Sequence, residues 1–216
     1  MRRARSPEAK EQRRGAILQA AAQLVEEHAF DAVTMARVAR AAGIAKGTTY
    51  LYFRTKEELF LALLQEEYDA FFEAVRDGLA AMPAGSGPGA VAAMLVQHLR
   101  GRKRFLILME LLHVVFEHNV ADEHGLAFKT RLRDQVLTTG AALAVAASIA
   151  PDEAARLLLR MHALVVGLRQ MTRPSPALVK VMEREDMESM RIEFHAELTA
   201  VLSDLIRAAQ IREERA

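Results

Sequence analysis

The stretch "AAGIAKGTTYLYFRTKEEL", residues 41–59, has a composition that is unfavourable for an isolated helix. It holds two glycines and three threonines, and both residue types have low intrinsic helix propensity. It also carries two of the chain's three tyrosines, Tyr50 and Tyr52, followed by Phe53. Small residues, hydroxyls, phenols and cations at this spacing indicate a surface built for close approach to another molecule.

Two helices are predicted on the N-terminal side of this stretch. Ser6-Pro7 provides an N-cap and a first-turn proline, and the apolar spacing that follows predicts a helix ending near His28. Thr34 can cap a second, short helix. Gly43 can end it, because glycine tolerates the left-handed backbone conformation found after helices.

Two more helices are predicted within and after the stretch. A short one runs from about Ala45 to Tyr52. The pattern Thr55-Lys56-Glu57-Glu58 forms a capping box and opens a long helix to about Ala81. The side chains expected in the local core are Val38, Ile44, Leu51, Phe53 and Leu59.

Helix, glycine and short helix over residues 34–52 make a helix-turn-helix arrangement. In such units the second helix enters the DNA major groove by its N-terminal residues. Gly47 would let the backbone approach, and Thr48 and Thr49 would offer hydroxyl and methyl groups to base edges. Lys46 could reach a guanine edge or a phosphate. On composition alone, two ordinary short helices with an aromatic core are an alternative.

Phosphate contacts are predicted at the C-terminal end of the second helix and at the start of the helix that follows it. Tyr50 and Tyr52 could donate to phosphate oxygens. Lys56 lies in the first turn of the next helix, where its amide and its ammonium could both bind a phosphate.

Residues 34–64, "TMARVARAAGIAKGTTYLYFRTKEELFLALL", resemble the DNA-binding signature of the TetR family of bacterial regulators. The resemblance covers about residues 10–64 and implies a three-helix DNA-binding domain, a linking helix and a helical ligand-binding and dimerisation domain. It places Lys46, Gly47, Thr48, Thr49 and Tyr50 in the major groove, and Thr34, Tyr52 and Lys56 on phosphates. Tyr52 stands where many members have histidine. The family usually represses transcription until a small molecule binds.

The charge distribution is consistent with this interpretation. Residues 1–56 carry eleven Lys/Arg against five acids, a net charge of +6, so the remaining 160 residues sum to −5. A basic module of this kind favours a polyanionic partner. The basic arm "MRRARSPEAKEQRR" could reach an adjacent minor groove or a phosphate, or could be a solvated tail.

Composition excludes several classes of site. The chain has no cysteine, which excludes disulfides and cysteine-ligated zinc or iron–sulfur sites and fits a reducing cytoplasm. No signal peptide is predicted, because no apolar segment follows the arginines at the N-terminus. No membrane span is predicted, because the uncharged stretches are broken by polar, glycine and proline residues. We therefore predict a cytoplasmic protein without a membrane partner.

The rest of the chain is predicted to be helical, giving an all-α fold. "MPAGSGPGA", residues 82–90, is the clearest linker, and residues 104–116 should form a central buried helix. Further helices are expected at residues 122–148, from Pro151 to Met171, and at about 187–212. The predicted domains are residues 1–54 for DNA binding, a linking helix at about 55–81, and residues 82–216 for ligand binding and dimerisation.

Two of these helices carry broad apolar faces that predict a homodimer. The faces are formed by Leu157, Leu158, Met161, Leu164, Val165 and Leu168, and by Ile192, Phe194, Leu198, Val201, Leu202, Leu205 and Ile206. A four-helix bundle built from two copies would bury both faces and would present two recognition helices to a palindromic operator. Packing within one chain is the alternative.

An effector pocket is predicted in the C-terminal part. Its candidate residues are Met109, His113, Phe116, Glu117, Phe128, His162 and Arg169. Glu110, His113 and Glu117 share one helix face, but a di-iron site would need a second Glu-x-x-His on a facing helix. We therefore predict no metal, no cofactor and no catalytic residue.

The sequence thus predicts a transcriptional regulator, most simply a repressor that a small molecule releases from double-stranded DNA. A regulator without a ligand, an activator or an architectural factor is the second interpretation. A helical enzyme such as a metal-dependent oxygenase is the third.

Overall fold

In a computed structural model, residues 6–173 and 175–215 are described, except for the side chain of Glu117. These residues form no strand, and the predicted all-α fold is confirmed. No helix within them is long and apolar enough to cross a membrane. The α-helices are α1 (Pro7–Glu27), α2 (Met35–Ala41), α3 (Lys46–Thr49), α4 (Lys56–Ala80), α5 (Pro88–Gln97), α6 (Lys103–Leu111), α7 (Glu117–Asn119), α8 (Asp122–Ala147), α9 (Pro151–Met171), α10 (Pro176–Met182) and α11 (Phe194–Glu213).

The predicted ends of the first two helices are confirmed. Ser6 Oγ accepts a hydrogen bond from the amide of Ala9 at 3.3 Å, so this residue caps α1. Thr34 Oγ1 accepts from the amide of Arg37 at 3.3 Å and caps α2. Gly43 follows α2 with a φ of 65°, the left-handed conformation that glycine adopts without strain.

The capping box at the start of α4 forms as predicted on the Thr55 side, but the return hydrogen bond involves the residue before Thr55. Thr55 Oγ1 accepts from the amide of Glu58 at 3.0 Å, as expected. The Glu58 carboxylate, however, accepts from the amide of Arg54 at 2.8 Å and not from that of Thr55. The capping residue and the residue before it are therefore both tied to the first turn of α4.

Two of the predicted helices differ in the structure. The apolar run 104–116 is not one α-helix: α6 ends at Leu111, and a π turn, Leu112–Phe116, follows. The polar residues inside this run, Glu110 and His113, have the spacing of a regular α-helix, so the sequence contains no signal for such a change in the hydrogen-bonding pattern.

The last helix begins at Phe194, after a 3₁₀ segment at Glu185–Met190, and not at about residue 187. Glu193 caps it, with carboxylate oxygens that accept from the amides of Ala196 at 2.6 Å and His195 at 3.2 Å. These two backbone hydrogen bonds lower the pKa of the Glu193 carboxyl. Glutamate is not among the preferred N-cap residues, so this start is difficult to predict from the amino-acid pattern.

The chain forms two compact units, which divide α4 and α8 between them. The first comprises the described residues up to Tyr68 together with Lys103–Thr130. Its core contains the buried rings of Phe60, Phe105 and Phe116. Beside that core, Arg104 of α6 forms ion pairs with Glu67 and, at 3.0 Å, with Glu26.

The second unit comprises Asp69–Arg102 and the described residues from Arg131 onward. Here α11 packs against α5 and α9. Gly140 of α8 lies so close to α9 that a Cβ built on it would be 3.1 Å from the amide nitrogen of Ala155. The predicted functional division at residues 54 and 82 stays a prediction.

Candidate nucleic-acid interface

The predicted helix-turn-helix is formed by α2, the turn at Gly43 and α3. The amide of Ile44 donates to the carbonyl of Ala39 at 3.0 Å, which closes the turn. Val38 and Phe53 are buried and Ile44 is half-buried, so these side chains anchor α2 and α3 to the core of the first unit. The α3 helix is shorter than predicted: it ends at Thr49 and is followed by a turn, in which the amides of Leu51 and Tyr52 donate to the carbonyls of Thr48 and Thr49 at 3.2 and 3.0 Å.

The outer surface of α3 presents three of the predicted contact residues. Lys46, Gly47 and Tyr50 are exposed, and Tyr50 keeps 44% of its surface accessible. Apart from its chain neighbours and the backbone of α3, a Cβ added at Gly47 would meet no described atom within 4 Å. Space inside the protein therefore does not require glycine at this position, whereas close approach of a groove to the backbone would favour it.

Thr48 and Thr49, which look equivalent in the sequence, occupy different environments. Thr48 is half-buried, and its side chain is partly accessible at the surface of α3. Thr49 is fully buried, and its hydroxyl donates to the carbonyl of Lys46 at 2.6 Å. The prediction that Thr49 offers its hydroxyl and methyl to a base is therefore wrong for this conformation, and the interface proposed below omits it.

Lys56 is also engaged within the protein. Its ammonium donates to the carbonyl of Phe30 at 3.0 Å and lies 3.8 Å from the centre of the Phe30 ring. Its role as a phosphate ligand would require the side chain to leave Phe30. Of the other predicted phosphate contacts, Thr34 is exposed and Tyr52 is half-buried.

Exposed residues that sequence reasoning missed lie next to this surface. Leu51 was predicted to be in the core, but 73% of its surface is exposed, because the buried residues of this turn are Thr49 and Phe53, which leaves Leu51 between them on the opposite face. Arg40 and Arg54 are exposed as well, and neither they nor Lys46 form an ion pair with any described residue. Their place on either side of α3 in the sequence was the only available signal.

The basic arm is only partly described. Arg2, Arg3 and Arg5 lie outside the described residues, so their predicted role stays a prediction. Arg14 is paired with Glu66 at 3.2 Å and Glu11 at 3.6 Å within the first unit. This pairing reduces the charge that Arg14 can offer to a polyanion.

The structure brings Phe116 and Phe128 of the predicted effector residues to one pocket in the first unit. The pocket has a volume of about 300 Å³ and is lined by Leu61, Leu112, Phe116, Val120, Asp122, Gly125, Leu126, Phe128 and Lys129. Met109 is buried and His113 is exposed, and neither is among these lining residues. The side chain of Glu117 lies outside the described residues.

The remaining effector candidates belong to the second unit. His162 and Arg169 are half-buried on α9, and the Arg169 guanidinium lies 5.9 Å from the ring centre of Phe194. Among the described residues, no group of three or more His, Cys, Asp or Glu is arranged to hold a metal ion.

The second unit also carries an open apolar groove between α9 and α11. Arg160, Ala163, Leu164, Gly167, Leu168, Met171, Val201 and Leu205 line it. At its edge, Arg160 is paired with Glu153 at 3.3 Å, and Arg212 with the same carboxylate at 3.0 Å. An apolar centre with a charged rim is typical of protein–protein interfaces.

Comparison with known proteins adds two family matches that together cover most of the chain. The family model described as "Bacterial regulatory proteins, tetR family" matches residues 17–63. The one described as "Tetracyclin repressor-like, C-terminal domain" matches residues 65–213.

Curated relatives are similar over a shorter segment. The chain is 32% identical over 63 residues to the fatty acid metabolism regulator protein of Bacillus subtilis. It is 36% identical over 70 residues to the HTH-type transcriptional activator FasR of Mycolicibacterium smegmatis. The matches cover 29% and 32% of this chain, respectively, and 32% of each relative, so the chain matches about a third of their length.

Solved structures are similar over most of the chain. The fatty acid degradation regulator FadR from Bacillus halodurans matches 89% of this chain and 93% of its own, with a TM-score of 0.57 and 18% identity. At this identity, the similarity shows a shared fold.

Proposed function

The chain belongs to the tetR family of bacterial regulatory proteins, and on that premise we propose that it is a sequence-specific DNA-binding transcriptional regulator. The observation that carries the proposal is the outer surface of α3. It presents Lys46, Gly47 and Tyr50 to solvent on a short helix that the core of the first unit holds in place. A rigid support of this kind is what precise contact with base edges requires.

In this proposal the N-terminal end of α3 enters the major groove. Lys46 and Thr48 face base edges there, and Tyr50 and the exposed Leu51 lie along the groove wall. Thr34 and Tyr52 donate to phosphates. Arg40 and Arg54, exposed on either side of α3, add further phosphate contacts.

We further propose that the protein acts as a homodimer through the groove between α9 and α11. Most of the residues in the two predicted dimer faces are buried within one chain, among them Leu157, Leu158, Met161, Val165, Leu198, Leu202 and Ile206. The surface that remains accessible to a second copy is the outer strip of the groove. There Leu164, Val201 and Leu205 are half-buried and Met171 is 63% exposed. A two-fold axis along this strip would make the interface self-complementary.

The regulation we propose is a population shift driven by a small molecule. A ligand that binds one dimer geometry better than the other shifts the equilibrium by its differential affinity. The pocket of the first unit has an apolar body, with Leu61, Phe116 and Phe128, and charged residues Asp122 and Lys129. This lining favours an effector that is at least partly apolar.

We propose that the protein represses transcription. Activation is the second candidate, since one relative is named an activator. A transcription assay on the operator, run with and without the protein, distinguishes the two. Thermal unfolding in the presence of candidate metabolites tests for the effector, because a ligand that binds the folded state raises Tm.

DNA affinity is expected to fall steeply with salt, because cations that neutralise phosphates release counterions. Two exposed cations per protomer, Arg40 and Arg54, give about four phosphate contacts in a dimer. Between roughly 50 and 200 mM salt, that number corresponds to a loss of about 10²-fold in affinity. Fluorescence anisotropy over a salt series measures the slope of log affinity against log salt.

The matched variants are Arg54→Gln near α3 and Lys180→Gln on α10. Arg54→Gln should reduce the slope by about two for the dimer, and Lys180→Gln should leave it unchanged. A slope near zero for the unmodified protein would contradict the proposed phosphate contacts.

A further inference from the structure

The ammonium of Lys56 is held by a single residue through two contacts. It donates to the carbonyl of Phe30 at 3.0 Å, and it lies 3.8 Å from the centre of the Phe30 ring. A cation this close to a ring face is attracted by the ring quadrupole. Phe30 begins the 3₁₀ turn Phe30–Ala32 between α1 and α2, so Lys56 ties the first turn of α4 to the start of the helix-turn-helix.

The Phe30 ring is itself held by two fully buried rings. Phe60 of α4 meets it edge-on at 5.2 Å between ring centres, and Phe116 of the π turn does so at 5.7 Å. Phe116 also lines the pocket of the first unit. The Phe30 ring therefore contacts Phe116 in the pocket wall. The same ring and the Phe30 carbonyl contact Lys56, which is a predicted phosphate ligand.

We propose that Phe30 is a positioning residue that holds Lys56 away from DNA and links its release to the state of the pocket. This inference rests on the proposed function, since it takes the first turn of α4 to face a phosphate. Lys56 then has two alternative positions: one on Phe30, and one on a phosphate, where the backbone amides of α4 add to the attraction.

A second contact joins the pocket to the same turn of α4. His124 Nδ1 lies 3.4 Å from the carboxylate of Glu58, and His124 is located between the pocket residues Asp122 and Gly125. An apolar molecule packed against Phe116 restrains that ring and the Phe30 ring beside it. This restraint favours the position of Lys56 on Phe30 and so reduces the number of phosphate contacts.

Phe30→Leu tests the holding contact on DNA, because it removes the ring face but keeps the carbonyl and an apolar side chain. Affinity for the operator should rise about threefold, and the salt slope should steepen by about two for the dimer. Lys56→Gln should be nearly neutral in the unmodified protein and should abolish the gain in Phe30→Leu. Phe72→Leu, a buried ring in the second unit, should leave the slope unchanged.

Amine labelling of the full chain, read by mass spectrometry, tests the same contact without DNA. Phe30→Leu should raise the labelling rate of Lys56 about threefold while the rate at Lys180 stays constant. Phe116→Leu should change the rate at Lys56 in the same direction, because it removes the ring that steadies Phe30.

Each result has a definite meaning. An unchanged labelling rate in Phe30→Leu, or an equal loss of affinity on Lys56→Gln in both backgrounds, overturns the positioning role. An unchanged rate in Phe116→Leu overturns the link to the pocket. Failure of the proposed function is distinguishable from these outcomes, because it appears as the absence of specific DNA binding by the unmodified protein.

Discussion

Replacing Lys46 or Tyr50 by alanine is expected to lower the affinity of the protein for its operator about ten- to hundredfold. Both side chains are exposed on the outer surface of α3, so their truncation removes contacts with DNA and opens no cavity in the core. The unfolding temperature should therefore stay within the range of ordinary surface substitutions. Gel shifts on the operator, with thermal unfolding on the same samples, measure both quantities.

Lys180→Ala is the matched control for Lys46→Ala, because Lys180 is an exposed lysine on α10 in the second unit. It should bind the operator like the unmodified protein. Unchanged operator binding by both Lys46→Ala and Tyr50→Ala would remove α3 from the interface.

Introducing a charge by Met171→Glu is expected to convert the dimer to monomer. Operator binding should weaken by at least the factor by which the dimer is weakened. Met171 lies in the groove between α9 and α11 and is 63% exposed, so the fold of one chain tolerates the change. In a dimer built on this groove, each of the two introduced carboxylates would be buried without a partner. An interface position of this kind costs about 2 kcal/mol or more when disrupted, roughly a thirtyfold weaker dimer.

Analytical ultracentrifugation at a series of concentrations measures the dimer dissociation constant. The control is Leu137→Glu, which places the same charge on α8 at a residue that is 56% exposed. It should leave the dimer intact. A dimer of unchanged stability in Met171→Glu, or a tight monomer bound to one half-site, would contradict the two-fold arrangement.

Helix boundaries were predictable where short polar side chains cap a helix or glycine ends it. Ser6, Thr34 and Gly43 act in this way, and each lies where its local hydrogen-bonding chemistry requires. The start of α11 was not predictable by the same rule, because the capping carboxylate comes from Glu193, a residue type that seldom caps helices.

Side-chain direction within the candidate interface was less predictable. Thr48 and Thr49 are adjacent and identical, yet only Thr49 is buried with its hydroxyl bonded to a backbone carbonyl. Leu51 is exposed because Thr49 and Phe53 are the buried residues of this turn, a rotation that composition does not specify. The local pattern predicted the helix, but it did not predict which of its residues face the core and which face solvent.

Contacts between residues that are distant in the chain could not be predicted from local sequence patterns. The Lys56 ammonium lies on the ring of Phe30, twenty-six residues away in the chain, and no local pattern pairs them. The effector candidates show the same limit. Phe116 and Phe128 meet at one pocket, whereas His162 and Arg169 belong to the other unit.

Selection of bound fragments from genomic DNA tests directly whether this protein reads a DNA sequence through α3. The expected result is enrichment of a palindromic motif whose half-sites lie about one helical turn, or a multiple of it, apart. The Lys46→Ala, Tyr50→Ala double variant should lose that enrichment. Fragments recovered without any common motif, or a motif recovered equally well by the double variant, would show that α3 does not read a DNA sequence.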